Sequence, residues 1–192
     1  MKENNENLLQ MGFYIDQTRC TGCFSCVIAC KDWNDVQAEK VSWRRVVAIE
    51  KGNFPDVFMC FLSVSCFHCE KPICAAACPV EAITKNRALG IVQVDQEVCL
   101  GGHECEFACQ KACPYDMPQF ELNENSKMQM CTLCIERLAE NKNPICVNAC
   151  PMRALDFGPM DELKEKYGNV KEVEGFIHSE EINPSIIFKP RY

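Results

Sequence analysis

The chain has 192 residues, 17 of them cysteine, and a formal charge of −7. Cysteine at this density belongs to a short disulfide scaffold or to an intracellular metal or redox protein, and the length and odd count speak against the first. With no basic run, the acidic balance argues against nucleic-acid binding, and no apolar stretch approaches the roughly 20 residues needed to span a bilayer.

Residues 1–12 are polar and rich in Asn and Glu. They hold neither an apolar signal core nor a twin arginine, so no export signal is expected there. The thiols would then form in a reducing cytosol, free to take up metal. Any membrane contact must come from another subunit.

A strand is expected at residues 12–16, an apolar run ending in Asp16 just before the first cysteine group. That group is Cys20-x2-Cys23-x2-Cys26-x3-Cys30, the spacing of the bacterial ferredoxin run. Three cysteines at this spacing wrap a short loop around three irons of one cube. The fourth, past a helical turn, points away to a neighbouring cluster. Soft thiolates suit iron, and their charge tunes its potential. Trp33 and Trp43 read as packing. Residues 41–49 read as a second strand, rich in β-branched side chains. Lys31, Arg44 and Arg45 are candidates for raising nearby potentials, with a solvated face as the plainer reading. Cys60, in an apolar stretch, reads as a buried free thiol.

The second group is Cys66-x2-Cys69-x4-Cys74-x3-Cys78-Pro79. His68, between two candidate ligands, reads as a hydrogen-bonding or packing residue. A short helix is expected around residues 74–78 and a strand at 90–95, again ending in an acidic residue before a cysteine. The third group, Cys99-x5-Cys105-x3-Cys109-x3-Cys113-Pro114, is irregular. Anchored on Cys113-Pro114-Tyr115, it is an enlarged loop that keeps Cys99, Cys105 and Cys109 as local ligands. Two alternatives stay open: a missing ligand with a three-iron cluster, and ligation by His103. The fourth group is Cys131-x2-Cys134-x11-Cys146-x3-Cys150-Pro151. A helix is expected at residues 135–140, ended by Pro144. A capped helix is expected at 161–167, stopped by Gly168. The last residues, 182–192, read as an extended arm, either a strap on the fold or a docking element.

Three of the four groups end in Cys-Pro, where proline fixes φ and turns the backbone off the cluster. Structural zinc is held by pairs of Cys hooks and has no use for the further cysteines. No phosphate-cradling glycine loop and no flavin or nicotinamide fingerprint is present. The chain reads as an electron-transfer protein rather than an enzyme, either within a complex or as a free polyferredoxin.

Longer runs carry a resemblance. Residues 12–16 with Arg19-Cys20-Thr21-Gly22-Cys23, Ser65-Cys66-Phe67-His68-Cys69-Glu70, and above all residues 144–158 make the chain similar to the iron–sulfur subunits of anaerobic dimethyl sulfoxide reductase and related molybdopterin oxidoreductases. The resemblance covers almost the whole chain. It implies an α+β fold of two nested ferredoxin-like lobes: residues 1–55 with 121–158 as the outer lobe, 56–120 as the inner, and 159–192 as a C-terminal helix and arm. It implies four [4Fe–4S] clusters, held by Cys20, Cys23, Cys26 and Cys150; by Cys30, Cys131, Cys134 and Cys146; by Cys66, Cys69, Cys74 and Cys113; and by Cys78, Cys99, Cys105 and Cys109. It further implies a large molybdopterin catalytic partner and, often, a membrane subunit handling quinol. The cluster of the irregular loop would lie far from the catalytic partner. Either face of the cytoplasmic membrane fits such a complex.

Overall fold

A computed structural model describes residues 9–38 and 40–192. Residues 1–8, most of the segment read for an export signal, lie outside the described residues. The architecture is α+β. Strand β1 (Met11–Asp16) runs between β6 (Leu155–Pro159), antiparallel to it, and β7 (Ile186–Lys189), parallel to it. All six residues of β1 are buried. Strand alternation sends Phe13 and Ile15 into the main core and Tyr14 to the opposite face. There helix α6 (Met160–Tyr167) covers the sheet. Tyr14, Met160, Leu163 and Ile187 form a second small core, and the Tyr14 and Tyr167 rings stack at 3.7 Å.

Helix α6 ends at Gly168, whose φ of 84° suits glycine. The expected side-chain cap is absent: Pro159 precedes the helix, and the Met160 N–H donates to the Gln10 carbonyl at 2.8 Å. The last segment is a strap. Ile186, Ile187 and Phe188 of β7 are buried against β1, which no local signal in so short a strand announces.

Strands β2 (Arg44–Asn53) and β3 (Asp56–Ser65) form an antiparallel hairpin turned at Phe54-Pro55. The strand expected at 41–49 therefore starts at Arg44 and runs four residues further. β3 was not expected, because its sequence is nearly continuous in apolar residues and shows no alternation. The expected division between lobes at 55/56 falls in this turn, whose two strands pair along their whole length. Cys60 lies on β3, fully buried, and receives a weak hydrogen bond from Gln17 Nε2 at 3.7 Å. A second hairpin pairs β4 (Ile83–Asn86) with β5 (Ile91–Val94).

Five short helices lie among the cysteines: α1 (Ser25–Trp33), α2 (Ile73–Ala76), α3 (Ala108–Ala112) and α5 (Ile145–Asn148) carry some of them, and α4 (Ile135–Ala139) follows directly on Cys134. Helix α4 stops before Pro144, with Asn141 left-handed at φ 57°. Pro144 instead occupies the N-cap of α5, a position where its missing N–H and fixed φ suit the start of a helix. Among the described residues no helix is long and apolar enough to cross a membrane.

Candidate metal centres

The turns that aim the cysteines repeat along the sequence. After β1, Asp16 Oδ1 accepts from the Thr18 N–H at 2.8 Å, and its carbonyl accepts from the Cys20 N–H at 3.1 Å. After β5, Asp95 does the same for Glu97 at 2.9 Å and for Cys99 at 3.0 Å. These are Asx turns. They account for the acidic residue that ends each strand: it reverses the backbone so that the fourth residue on is a cysteine.

The Cys-Pro pairs form a second repeated device. The carbonyls of Cys78, Cys113 and Cys150 accept from Glu81, Asp116 and Arg153, closing β-turns with proline at the second position, where its φ is preset. Each turn ends on a left-handed residue, at φ 53°, 51° and 49°. Cys30 is followed by Lys31 rather than proline, and α1 runs on to Trp33. Phe24, Phe107 and Cys134 take φ of 61°, 55° and 50° at the N-caps of α1, α3 and α4. A left-handed non-glycine residue costs on the order of 1 kcal/mol or more, so each is held there by the cysteine loop around it.

Three apolar cavities result, each with four cysteines in its wall. Cys20, Cys23, Cys26 and Cys150 surround the first. Cys66, Cys69, Cys74 and Cys113 surround another, and Cys78, Cys99, Cys105 and Cys109 a further one. The three are alike in the apolar character of their linings and in their four-cysteine content, so occupants of one kind suit all three. The remaining set is buried throughout: Cys30 lies within electrostatic reach of Cys131, Cys146 and Cys134. In chain order these are the first, second, third and fourth sites, with Cys30, Cys131, Cys134 and Cys146 as the second. Each site combines three cysteines of one group with the last cysteine of another.

Burial pushes the thiols of Cys69, Cys74, Cys109 and Cys134 up to about 12, and those of Cys30, Cys66 and Cys131 upward as well. Beside burial, like charge acts between sites: Cys146 on Cys26, Cys131 on Cys66, and Cys74 on Cys109. The first site thus lies within electrostatic reach of the second, the second of the third, and the third of the fourth. Cys23 is exposed and its thiol lowered by hydrogen bonding to Ser25.

The enlarged loop brings Cys99, Cys105 and Cys109 to one cavity together. The Lys127 ammonium holds it by donating to the carbonyls of Cys99 and Leu100, at 2.6 and 3.3 Å. His103 is not in the cavity wall. It is exposed and packs edge-on against Phe107, with ring centroids 5.2 Å apart. His68 is fully buried, and its Nδ1 accepts from the Val92 N–H at 3.1 Å. Burial holds this imidazole down to about 3, so it is neutral. Arg45 pairs with Asp116 at 3.0 Å near the surface. Trp33 lies at the surface and donates to Glu136 at 2.8 Å, while its ring supports the Arg137 guanidinium at 4.5 Å.

The donor chemistry fits iron–sulfur clusters: four soft thiols around each apolar cavity, with no His, Asp or Glu in the wall. Among the described residues no three His, Cys, Asp or Glu side chains converge closely enough to hold a single metal ion.

The comparisons with known proteins agree with this chemistry. The family model of a 4Fe-4S dicluster domain matches residues 57–160. Fold and cysteine sites together define the class, an iron–sulfur protein. The sequence is 44% identical over 189 residues to a component of the anaerobic dimethyl sulfoxide reductase of Escherichia coli K12, covering 94% of this chain and 89% of that one. The corresponding component from Haemophilus influenzae is 40% identical over 190 residues, with the same coverage. A component of the sulfite dehydrogenase of Allochromatium vinosum is 33% identical over 175 residues, 81% of this chain and 71% of that one. The protein belongs to the family of iron–sulfur subunits typified by that of anaerobic dimethyl sulfoxide reductase, which transfer electrons and leave substrate chemistry to other subunits.

Proposed function

We propose that the chain relays electrons along four [4Fe–4S] clusters, held by the four cysteine sets described above. The outer lobe, residues 1–55 with 121–158, would carry the first and second sites, and the inner lobe, residues 56–120, the third and fourth. The partners are a large molybdopterin subunit, with molybdenum or tungsten, and a membrane subunit or other redox protein that exchanges electrons with quinol.

The observation that carries this reading is the exchange of cysteines between groups. Cys150 joins the site of Cys20, Cys23 and Cys26, and Cys30 joins that of Cys131, Cys134 and Cys146. The same exchange relates Cys113 to the third site and Cys78 to the fourth. When bound, the clusters supply one-electron acceptors and donors. The protein's own part is to hold thiolates at fixed spacing, to exclude water with apolar walls, and to deprotonate the buried thiols as metal binds, which releases protons.

Iron and sulfide analysis with electron paramagnetic resonance tests the reading. About sixteen irons per chain, and no three-iron signal on oxidation, are expected for four Cys-ligated cubes. Co-purification with a pterin-containing subunit is expected alongside. A colourless, zinc-bearing protein overturns the cluster reading. An iron-loaded monomer that binds no pterin subunit overturns the complex.

A further inference from the structure

Arg44 opens β2 and is only 1% exposed. Among the described residues no carboxylate forms an ion pair with it. A buried guanidinium without a carboxylate is costly, so other charges must compensate. Its fork is fully directed: Nη1 donates to Ser63 Oγ at 3.1 Å and Nη2 to Ser65 Oγ at 2.9 Å. Its plane lies over the Phe13 ring, 4.6 Å from the centroid.

The two serines lead to different sites. Ser63 Oγ lies 3.4 Å from Cys26 Sγ, in the wall of the first site. Ser65 faces Cys131, of the second site, and acts to lower its thiol against the rise that burial causes. With both serines accepting from Arg44, each hydroxyl proton is free to point at its sulfur. The strand places both on one face: Ser63 and Ser65 are two apart on β3, and Arg44 sits opposite Ser65 in the hairpin register. The sulfurs of Cys146, Cys26, Cys131 and Cys30 all lie within electrostatic reach of Arg44 and favour its charged form, three from the second site and one from the first.

We propose that Arg44 is a positioning residue shared by the first and second sites, one fixed cation that, through Ser63 and Ser65, raises the reduction potentials of both together. The inference rests on the four-cluster reading above. Reduction adds negative charge beside a buried cation, which favours the reduced form. A single charge acting on both sites moves their potentials in the same direction, so it raises the pair without opening a gap between neighbours. Arg45, one residue on, faces the surface and Asp116 and has no such part.

The test is a redox titration, followed by paramagnetic resonance, of the full chain purified with its clusters. Arg44→Gln should lower the reduction equilibrium constant at the first and second sites by about tenfold each, which is ~59 mV for one electron, with smaller changes at the third and fourth. Arg44→Lys should restore most of the shift, since it keeps the charge. Ser63→Ala should move the first site and not the second, and Ser65→Ala the reverse. Should Arg44→Gln fail to hold iron, the two serine variants and Arg44→Lys still decide. Unchanged potentials in iron-replete Arg44→Gln, or equal shifts at all four sites, overturn the inference. Absence of iron and sulfide from the parent protein overturns the cluster reading instead.

Discussion

Gly102→Ala tests whether the enlarged loop shapes the fourth site. A Cβ built on Gly102 lies 2.6 Å from Cδ1 of the Phe107 ring and closer still to Cε1. The ring is not free to yield cheaply. It packs between His103 and Phe120, with centroids 5.2 and 5.0 Å away, and Phe120 is itself in the cavity wall. Phe107 is also the left-handed N-cap of α3, the helix that carries Cys109. Overpacking of this kind costs about 1–3 kcal/mol, or roughly 2–4 °C in Tm per kcal/mol for a protein of this size. The strain should fall on the loop, loosening Cys99, Cys105 and Cys109 together. Iron analysis should show a loss of about a quarter, one [4Fe–4S] cluster of four, and the resonance of one cluster should vanish or become that of a three-iron centre. Gly158→Ala is the control, because its Cβ meets only Leu163, at 3.8 Å. Full iron and an unchanged spectrum in Gly102→Ala would refute the reasoning.

Cys150→Ser should alter the resonance of the site built on Cys20, Cys23 and Cys26 and spare that of Cys131, Cys134 and Cys146. Cys30→Ser should do the opposite, and a change confined to each cysteine's own group would sink the exchanged pairing. Phe188→Ala, at a residue 1% exposed, should cost about 3–5 kcal/mol in thermal unfolding of the isolated protein; an unaltered Tm would mean that β7 does not strap β1. His68 stays neutral in the native state down to about 3, whereas unfolded histidine takes up a proton below 6.5. Its contribution is therefore full above pH 6.5 and is lost as pH falls, by on the order of 2 kcal/mol at pH 5. Thermal midpoints of His68→Gln should fall less between pH 6.5 and 5 than those of the parent; parallel curves would exclude the effect.

How much the sequence disclosed follows from the range of each interaction. Cysteine spacing and the Cys-Pro turns were legible because they are local: an Asx turn at Asp16 or Asp95 and a proline turn after Cys78 each involve about four residues, and their chemistry is written in them. Strand β3 was not legible, because its residues 57–62 are an unbroken apolar run, and periodicity cannot tell such a run from a buried helix. The parallel pairing of β7 with β1 joins residues more than 170 positions apart, and nothing in Ile186 to Lys189 names its partner. Arg44 and Arg45 make the point most sharply. They are adjacent and chemically identical, so sequence gives both the same two readings. Strand alternation separates them, burying one among thiols and leaving the other beside Asp116.

The exchanged cysteines also explain why the protein folds back on itself. Cys20 and Cys150 lie at opposite ends of most of the sequence, yet β1 and β6 pair in register from Met11 with Pro159 to Ile15 with Leu155. That pairing delivers the first loop and the last Cys-Pro turn to one place: Asp16 donates its N–H to the Ala154 carbonyl at 2.8 Å, four residues from each cysteine. The first site therefore cannot form until the segment carrying the other sites has been enclosed. A site built from cysteines of one group alone would need no such closure. On the proposed pairing, metal binding at the first and second sites would tighten the chain between Cys20 and Cys150, because each set joins residues more than 100 positions apart, and binding energy would then be folding energy.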